Sequence, residues 1–251
     1  MRHLPEPSYE VLDADRVLVA YAAGVFPMAD ARDAAGVYWV EPHRRAILPL
    51  DGFHLSRSLR KTIASDRFRV TADTTFERVV ALCAESAGDR PETWINATIE
   101  RVFATLHARG HAHSVECWDG ERLVGGLYGL ALGQAFFGES MVSRATDASK
   151  VALAWLVARL RVGGFRLLDC QFMTDHLASL GAVEISRRDY VALLGAALGS
   201  LGAASSVAAV PAVGDFGALD RLAPLAAAAA ADTVSGPPVG KDIVQLLTQT
   251  S

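Results

Sequence analysis

The stretch "DASKVALAWLVARLRVGGFRLLDCQF", residues 147–172, predicts a helix followed directly by a buried strand. Asp147 is a residue type favoured at a helix N-cap, and the Gly163-Gly164 pair ends the apolar helical pattern. The segment "RLLDCQF" after the glycines has the apolar content of a strand inside a sheet. A helix that connects two strands in this way indicates a crossover within one sheet.

Two polar residues occupy this otherwise apolar strand. Side chains on a strand alternate between its faces, so Asp169 and Gln171 share one face. The other face is formed by Leu168, Cys170 and Phe172. The pair either caps neighbouring backbone groups or forms an acceptor–amide pair directed at a substrate, and this stretch alone leaves both interpretations open.

Three more strands are predicted upstream of the helix, in the segments "HSVECWD", "RLVGGLYGLA" and "QAFFGESMV". They are joined by Asp119-Gly120 and Leu132-Gly133, both of which are strong hairpin signals. We therefore predict an α+β fold in which an antiparallel meander is followed by a right-handed crossover, with helices flanking the sheet.

The pattern along the chain divides it into three parts. Residues 1–61 are predicted to form a small N-terminal domain with a helix over residues 13–24, and residues 62–200 the main domain. Residues 201–251 are rich in Ala, Gly and Pro without periodicity, so they are predicted to be a low-complexity tail. We expect residues beyond about 202 to bury little surface and to be dispensable.

Composition limits the class of protein. The chain has 251 residues with 24 Lys and Arg against 28 Asp and Glu, a net charge of −4 that does not favour a DNA-binding protein. Its three cysteines are far apart, which predicts a reducing, cytoplasmic location. Residues 190–214 carry no charge but are rich in Ala, Gly and Ser and contain Pro211, so a membrane span is disfavoured.

A local excess of positive charge lies near the N-terminus. This basic cluster comprises Arg44, Arg45, Arg57, Arg60 and Lys61. It is either a solvated face or a binding surface for an anionic partner such as an RNA end. Arg144 and Lys150, at the start of the crossover helix, are further candidates for a phosphate contact.

Glu139 lies in an apolar strand among Phe136, Phe137 and Met141. It is either half of an ion pair or a functional carboxylate beside an apolar pocket. The sequence "HAH" at His111 and His113 lacks further ligands, so a metal site is disfavoured.

The strand–helix–strand unit also resembles acetyltransferase-like folds. Those proteins bind the pyrophosphate of coenzyme A with a glycine loop before the crossover helix. Here the equivalent segment is "RATDAS", in which Asp147 replaces the first glycine. A carboxylate would repel the pyrophosphate, which argues against coenzyme A.

Segments across residues 13–198 resemble one family in their order and spacing. They are "YAAGVFPM", "PHRRAILPL", "FHLSRSLRK", "TWI", "LHARGHAHSVECW", "LVGGLYG", "FFGESMVSR", "DASKVAL" and "LLDCQFMTDHLASLGA". Together they are similar to the leucyl/phenylalanyl-tRNA–protein transferases. The sequence departs from the usual family pattern at Val40, Glu41, Leu127, Val142 and Thr174.

The resemblance implies an acetyltransferase-like (GNAT-type) catalytic domain behind a small N-terminal domain, without coenzyme A or another cofactor. It implies transfer of Leu or Phe, and less readily Met, from aminoacyl-tRNA to proteins that begin with Arg or Lys. Such proteins are thereby marked for degradation by the N-end rule. We also expect the protein to be a monomer.

The resemblance also assigns roles to residues. Asp169 and Gln171 would be the catalytic pair, with the Gln171 amide accepting a proton from the incoming α-amine and Asp169 polarising that amide. The aminoacyl pocket would be formed by Trp94, Leu127, Phe136, Glu139 and Met141. Two other classes remain open, a coenzyme-A-dependent N-acetyltransferase and a non-catalytic tRNA-binding module.

Overall fold

The computed structural model describes residues 12–85, 93–199, 213–222 and 238–249. Within these ranges the helices are α1 (Ala14–Ala22), α2 (Arg57–Ala64), α3 (Phe76–Ala84), α4 (Ala97–Ala108), α5 (Ala148–Val162), α6 (Asp175–Ser179), α7 (Arg187–Ala197) and α8 (Gly240–Thr248). The strands are β1 (Phe26–Met28), β2 (Tyr38–Val40), β3 (Arg44–Ile47), β4 (Arg69–Ala72), β5 (Ala112–Asp119), β6 (Arg122–Leu132), β7 (Ala135–Ser143), β8 (Leu167–Gln171) and β9 (Val183–Ser186).

Seven strands form one mixed sheet in the order β4-β5-β6-β7-β8-β3-β9, and β1 and β2 form a separate ribbon. β5, β6 and β7 are the predicted antiparallel meander. β7 and β8 run parallel, as they must when α5 connects them across one face of the sheet. The predicted α+β class with a mixed sheet and flanking helices is confirmed.

Helix boundaries follow the predicted signals with one difference. The side chain of Asp13 accepts hydrogen bonds from the backbone N–H groups of Asp15 and Arg16, and thus caps α1. Asp147 occupies the N-cap position of α5 but makes no capping bond, because it adopts a left-handed conformation with φ of 68°. Its carboxylate is 3.3 Å from the Lys150 ammonium instead.

The core lies on both faces of the seven-stranded sheet. One face carries α5, which is buried along almost its whole length and packs on Phe136 and Leu168. The opposite face packs against α1, α3, α4 and α7, with Phe103 and Phe137 fully buried there. A helix that is apolar on all sides needs a cover on its outer side as well, and other parts of the chain provide it.

The cover of α5 includes segments from the predicted tail. Phe216 and Leu219 are buried against it, and so is Ile243 of α8. The guanidinium of Arg159, on α5, donates to both carboxylate oxygens of Asp220 and to the Phe216 carbonyl. The prediction that residues beyond 202 bury little surface is therefore wrong for residues 213–222 and 238–249, while the rest of that segment lies outside the described residues.

The predicted N-terminal unit, residues 1–61, also contributes to the main sheet. β3 lies between β8 and β9 and pairs antiparallel with both. The sequence patterns did not reveal β1, β2, β3, α2 or α8. These three strands span three or four residues each, and the two helices span eight and nine. The division at residue 61 stays a prediction.

Among the described helices, none combines the length and the apolar character that crossing a membrane requires.

Candidate active site

Asp169 and Gln171 lie at the carboxyl end of β8. Asp169 is completely buried, and its Oδ1 accepts a 2.9 Å hydrogen bond from the backbone N–H of Gln171. Gln171 adopts φ of 57°, in the left-handed region that residues other than glycine seldom occupy. Such conformations persist only where surrounding contacts hold them, and they are concentrated at functional sites.

Arg45 is the main partner of Asp169. Its Nε lies 2.9 Å from Oδ1 and its Nη2 lies 2.6 Å from Oδ2 of that carboxylate. The Tyr190 hydroxyl donates a further hydrogen bond, 2.8 Å long, to Oδ2. The assignment of Arg45 to the tRNA-binding surface is therefore corrected, because a side chain that is 2% exposed and paired with a carboxylate cannot contact a phosphate.

The side-chain amide of Gln171 has a different partner from the one expected. Its Nε2 donates a 3.1 Å hydrogen bond to Oε1 of Glu139, so it is not bonded to the Asp169 carboxylate. The β6–β7 register shifts at Tyr128 and Gly129, which leaves Glu139 as the extra residue of a β-bulge. Bulges of this kind redirect a side chain, and here the redirected carboxylate reaches Gln171.

The environment of Glu139 favours its neutral form. Burial raises the pKa of this carboxyl to about 8, and the nearby charge of Asp169 also acts to raise it. Three groups lower the pKa without reversing the shift, namely the Tyr21 hydroxyl, the Arg45 charge and the Gln171 amide. A carboxyl with such a pKa exchanges a proton readily near neutral pH.

A cavity of about 410 Å³ opens beside Glu139 and Gln171. Four of the predicted pocket residues line it, namely Trp94, Leu127, Glu139 and Met141. Phe26, Phe172 and His176 also line it, although the sequence assigned none of them to the pocket. The wall is mostly apolar and includes Glu139 and Gln171 among its polar groups, which is the usual character of a small-ligand site.

Phe136 does not line this cavity, which corrects its assignment to the pocket. Its ring is fully buried and packs against the rings of Phe165 and Phe216, on the side of the sheet covered by α5.

The remaining basic residues lie apart from the cavity lining. Arg57, Arg60 and Lys61 are exposed on α2. Arg44 pairs with Glu184, and Arg144 pairs with Glu85. α2 therefore presents the most open positive surface among the predicted tRNA contacts, and the roles of all of them stay predictions.

The histidines of the "HAH" segment have local partners. His113 Nδ1 lies 2.7 Å from Oδ2 of Asp73, and its ring stacks on Phe216. In the described part of the chain, no group of three or more His, Cys, Asp or Glu side chains is arranged to hold a metal ion.

We predict that Glu139 makes the folded chain less stable as the pH rises from 4.5, the ordinary pKa of a glutamate, to about 8. In this window the folded state retains a proton that the unfolded chain has lost. The free energy of unfolding then decreases by at most ~1.4 kcal/mol per pH unit. Thermal unfolding of the wild type and of Glu139→Gln across this range measures the effect.

Because glutamine is neutral at every pH, Glu139→Gln should gain stability relative to the wild type as the pH rises. The gain should level off above the folded-state pKa. A difference in Tm that stays constant across the range would show that the carboxyl does not titrate there.

Comparison with known proteins identifies the family. Residues 10–43 match the N-terminal domain of leucyl/phenylalanyl-tRNA protein transferase, and residues 47–195 match the leucyl/phenylalanyl-tRNA protein transferase family itself. A leucyl/phenylalanyl-tRNA–protein transferase of Rhizorhabdus wittichii is 64% identical over 247 residues, covering 96% of this chain and 100% of that protein. One from Zymomonas mobilis is 63% identical over 190 residues, 76% of this chain and 71% of that protein.

Solved structures give a much weaker likeness. L-PGS from Bacillus licheniformis is 12% identical with a TM-score of 0.38, covering 62% of this chain and 51% of that chain. This similarity is too weak to indicate a shared function. The sequence matches are decisive by contrast, since they extend over both predicted domains. The chain belongs to the leucyl/phenylalanyl-tRNA–protein transferase family.

Proposed function

We propose that this protein transfers a leucyl or phenylalanyl group, and less readily a methionyl group, from aminoacyl-tRNA to the N-terminal Arg or Lys of a protein. The observation that carries the proposal is the meeting of Gln171 and Glu139 at the wall of a mostly apolar cavity. The amide and the carboxyl supply hydrogen-bonding and proton-accepting groups, and the cavity supplies space for an apolar side chain. The modified protein would then be marked for degradation.

The reaction is the aminolysis of an ester. The α-amine nitrogen of the acceptor attacks the carbonyl carbon of the aminoacyl ester, an amide C–N bond forms, and the bond from that carbon to the ribose oxygen breaks. The amine loses one proton and the ribose oxygen gains one, so the exchange is balanced. Since the ester is already activated, orientation of the two reactants supplies most of the rate.

Gln171 is proposed to orient the amine. Because its Nε2 donates to Glu139, its Oε1 is free to accept a hydrogen bond from the attacking nitrogen. Glu139 fixes this orientation of the amide. With a pKa of about 8, a fraction of this carboxyl is ionised near neutral pH, and the ionised form can accept the proton that the amine releases. Asp169 acts on the backbone of Gln171 rather than on its side chain.

The donor side chain is proposed to enter the cavity between Trp94, Leu127 and Met141. These walls select by size and apolarity, which suits Leu, Phe and Met. Discrimination among apolar side chains that differ by one methylene is worth only about 1–3 kcal/mol, so several donors are accepted. One chain supplies all of these groups, and we propose that it acts as a monomer.

Direct assay of the transfer tests the proposed function. The protein is mixed with Phe-tRNA and a peptide that begins with Arg, and the mass of the peptide is then measured by mass spectrometry. We expect an increase equal to one phenylalanyl residue. The same peptide beginning with Glu is the matched control, and an unchanged mass of the Arg peptide would refute the proposal.

We propose that α2 binds the tRNA through phosphate contacts. Replacing Arg57, Arg60 and Lys61 by Ala should weaken binding of any tRNA and flatten its dependence on salt, by a slope of roughly one per lost contact. Filter binding at several salt concentrations measures the slope. Arg101→Ala, on the exposed side of α4, is the control. A triple variant with the wild-type slope would place the RNA surface elsewhere.

We also propose that the main domain is of the acetyltransferase (GNAT) type, with a parallel pair of strands joined by a helix in an otherwise antiparallel sheet. β7, α5 and β8 support this assignment. The alternative function, coenzyme-A-dependent acetylation, is disfavoured by Asp147, whose carboxylate stands at the start of α5. Titration with coenzyme A should give no binding.

A further inference from the structure

We propose that Arg45 and Tyr190 are positioning residues that hold Gln171 in its reactive conformation by way of Asp169. The inference rests on the proposed function and adds two residues to it. They come from β3 and α7, which are far from β8 in sequence and adjacent to it in the fold.

Arg45 is fixed on all sides. Besides its contacts with Asp169, its Nη1 donates a 3.1 Å hydrogen bond to the carbonyl oxygen of Gly24. Its guanidinium carbon lies over two aromatic rings, 4.7 Å from the centroid of Phe26 and 4.5 Å from that of Tyr190. A planar group held by several hydrogen bonds and by ring contacts has little freedom to rotate, and its paired carboxylate is held with it.

Both oxygens of the Asp169 carboxylate accept hydrogen bonds in this arrangement. Oδ1 accepts from Arg45 and from the backbone of Gln171, while Oδ2 accepts from Arg45 and from the Tyr190 hydroxyl. A buried carboxylate needs such partners, because burial of an unpaired charge is very costly. Asp169 is therefore an anchor for the backbone of Gln171.

The backbone of Gln171, which Asp169 anchors, is in a strained conformation. With φ of 57°, Gln171 gains by relaxing to an ordinary strand conformation unless its N–H is held. Relaxation would rotate its side chain away from Glu139. Displacement of a positioned group by about 1 Å can cost about 10²-fold in rate, so the effect on the reaction should be large.

Three variants test the proposal under the transfer assay. Arg45→Lys keeps the positive charge but loses the fork of donors, and we expect kcat to fall by about 10²-fold with little change in KM for aminoacyl-tRNA. Tyr190→Phe keeps the ring and removes only the hydroxyl, and kcat should fall about 10-fold. In Arg45→Gly, added guanidinium ion should enter the vacated space and restore part of the activity.

The matched control is Arg67→Ala. Arg67 also pairs with an aspartate, Asp119, and also lies over an aromatic ring, Phe68, but it is half exposed and distant from the cavity lining. Its kcat should equal that of the wild type and should not respond to guanidinium.

The outcomes separate the two proposals. If the wild type transfers no phenylalanyl group, the proposed function fails. If the wild type is active and both Arg45→Lys and Tyr190→Phe retain its kcat, the function stands and the positioning role is refuted. If Arg45→Lys and Tyr190→Phe lose activity only in proportion to the loss of folded protein, and guanidinium restores nothing, Arg45 and Tyr190 are structural and the positioning role is again refuted.

Discussion

Gln171→Gly should lower kcat of the transfer by about 10²-fold or more, while the affinity for aminoacyl-tRNA changes little. The substitution removes the amide that is proposed to accept a hydrogen bond from the attacking amine. Glycine is the least disruptive truncation here, because it adopts φ of 57° without strain. Single-turnover transfer measures kcat, and filter binding measures the affinity.

Gln171→Ala is the matched variant. It removes the same amide, so kcat should fall equally, but alanine retains the strained backbone and should leave the chain less stable than glycine does. Wild-type rates in both variants would show that Gln171 is a structural residue. Equal rates with unequal Tm values are the expected pattern.

Phe216→Ala should destabilise the folded chain by about 3–5 kcal/mol, as large-to-small substitutions in a packed core do. The ring of Phe216 is 6% exposed, stacks on Phe136 with centroids 5.7 Å apart, and lies 4.9 Å beneath the Arg159 guanidinium. For a domain of this size the expected fall in Tm is roughly 6–20 °C. Differential scanning calorimetry measures it.

Val213→Ala serves as the control for Phe216→Ala. Val213 belongs to the same segment but is 71% exposed, so its removal should change stability by less than about 0.5 kcal/mol. A wild-type Tm for Phe216→Ala would mean that residues 213–222 do not cover α5 in solution. The segment would then be the dispensable tail that its composition suggested.

Local patterns were sufficient to predict β5, β6, β7 and β8 but not β3, which lies in the same sheet. The hairpin at Asp119-Gly120 and the alternation of β8 depend on neighbouring residues only, so both are readable without the fold. The same alternation places Asp169 and Gln171 on the face opposite Leu168, whose side chain packs in the core beneath α5. Their catalytic assignment came from resemblance to a family, since the pattern alone left a structural reading open.

The composition of the C-terminal part was misleading. An Ala-rich stretch without a period says little about burial, because a few apolar side chains such as Phe216 and Ile243 are enough to dock it. What decides their burial is the outer surface of α5, which is formed by another part of the chain. Helix α8 and residues 213–222 therefore needed the tertiary structure to be placed.

Local patterns in the chain predicted β5, β6, β7 and β8, and the order and spacing of the segments that resemble the transferases indicated the family. Only the tertiary structure distinguished Arg45 from Arg44, which are neighbours of the same type on β3. Strand alternation turns Arg44 to solvent and Arg45 into the core, and the folding of β8 and α7 around β3 supplies the carboxylate and rings that make burial of a guanidinium stable. Likewise, a bulge that depends on the pairing of β6 with β7 directs Glu139 to Gln171. Such contacts join residues that are distant in sequence, and no local pattern encodes which of them meet.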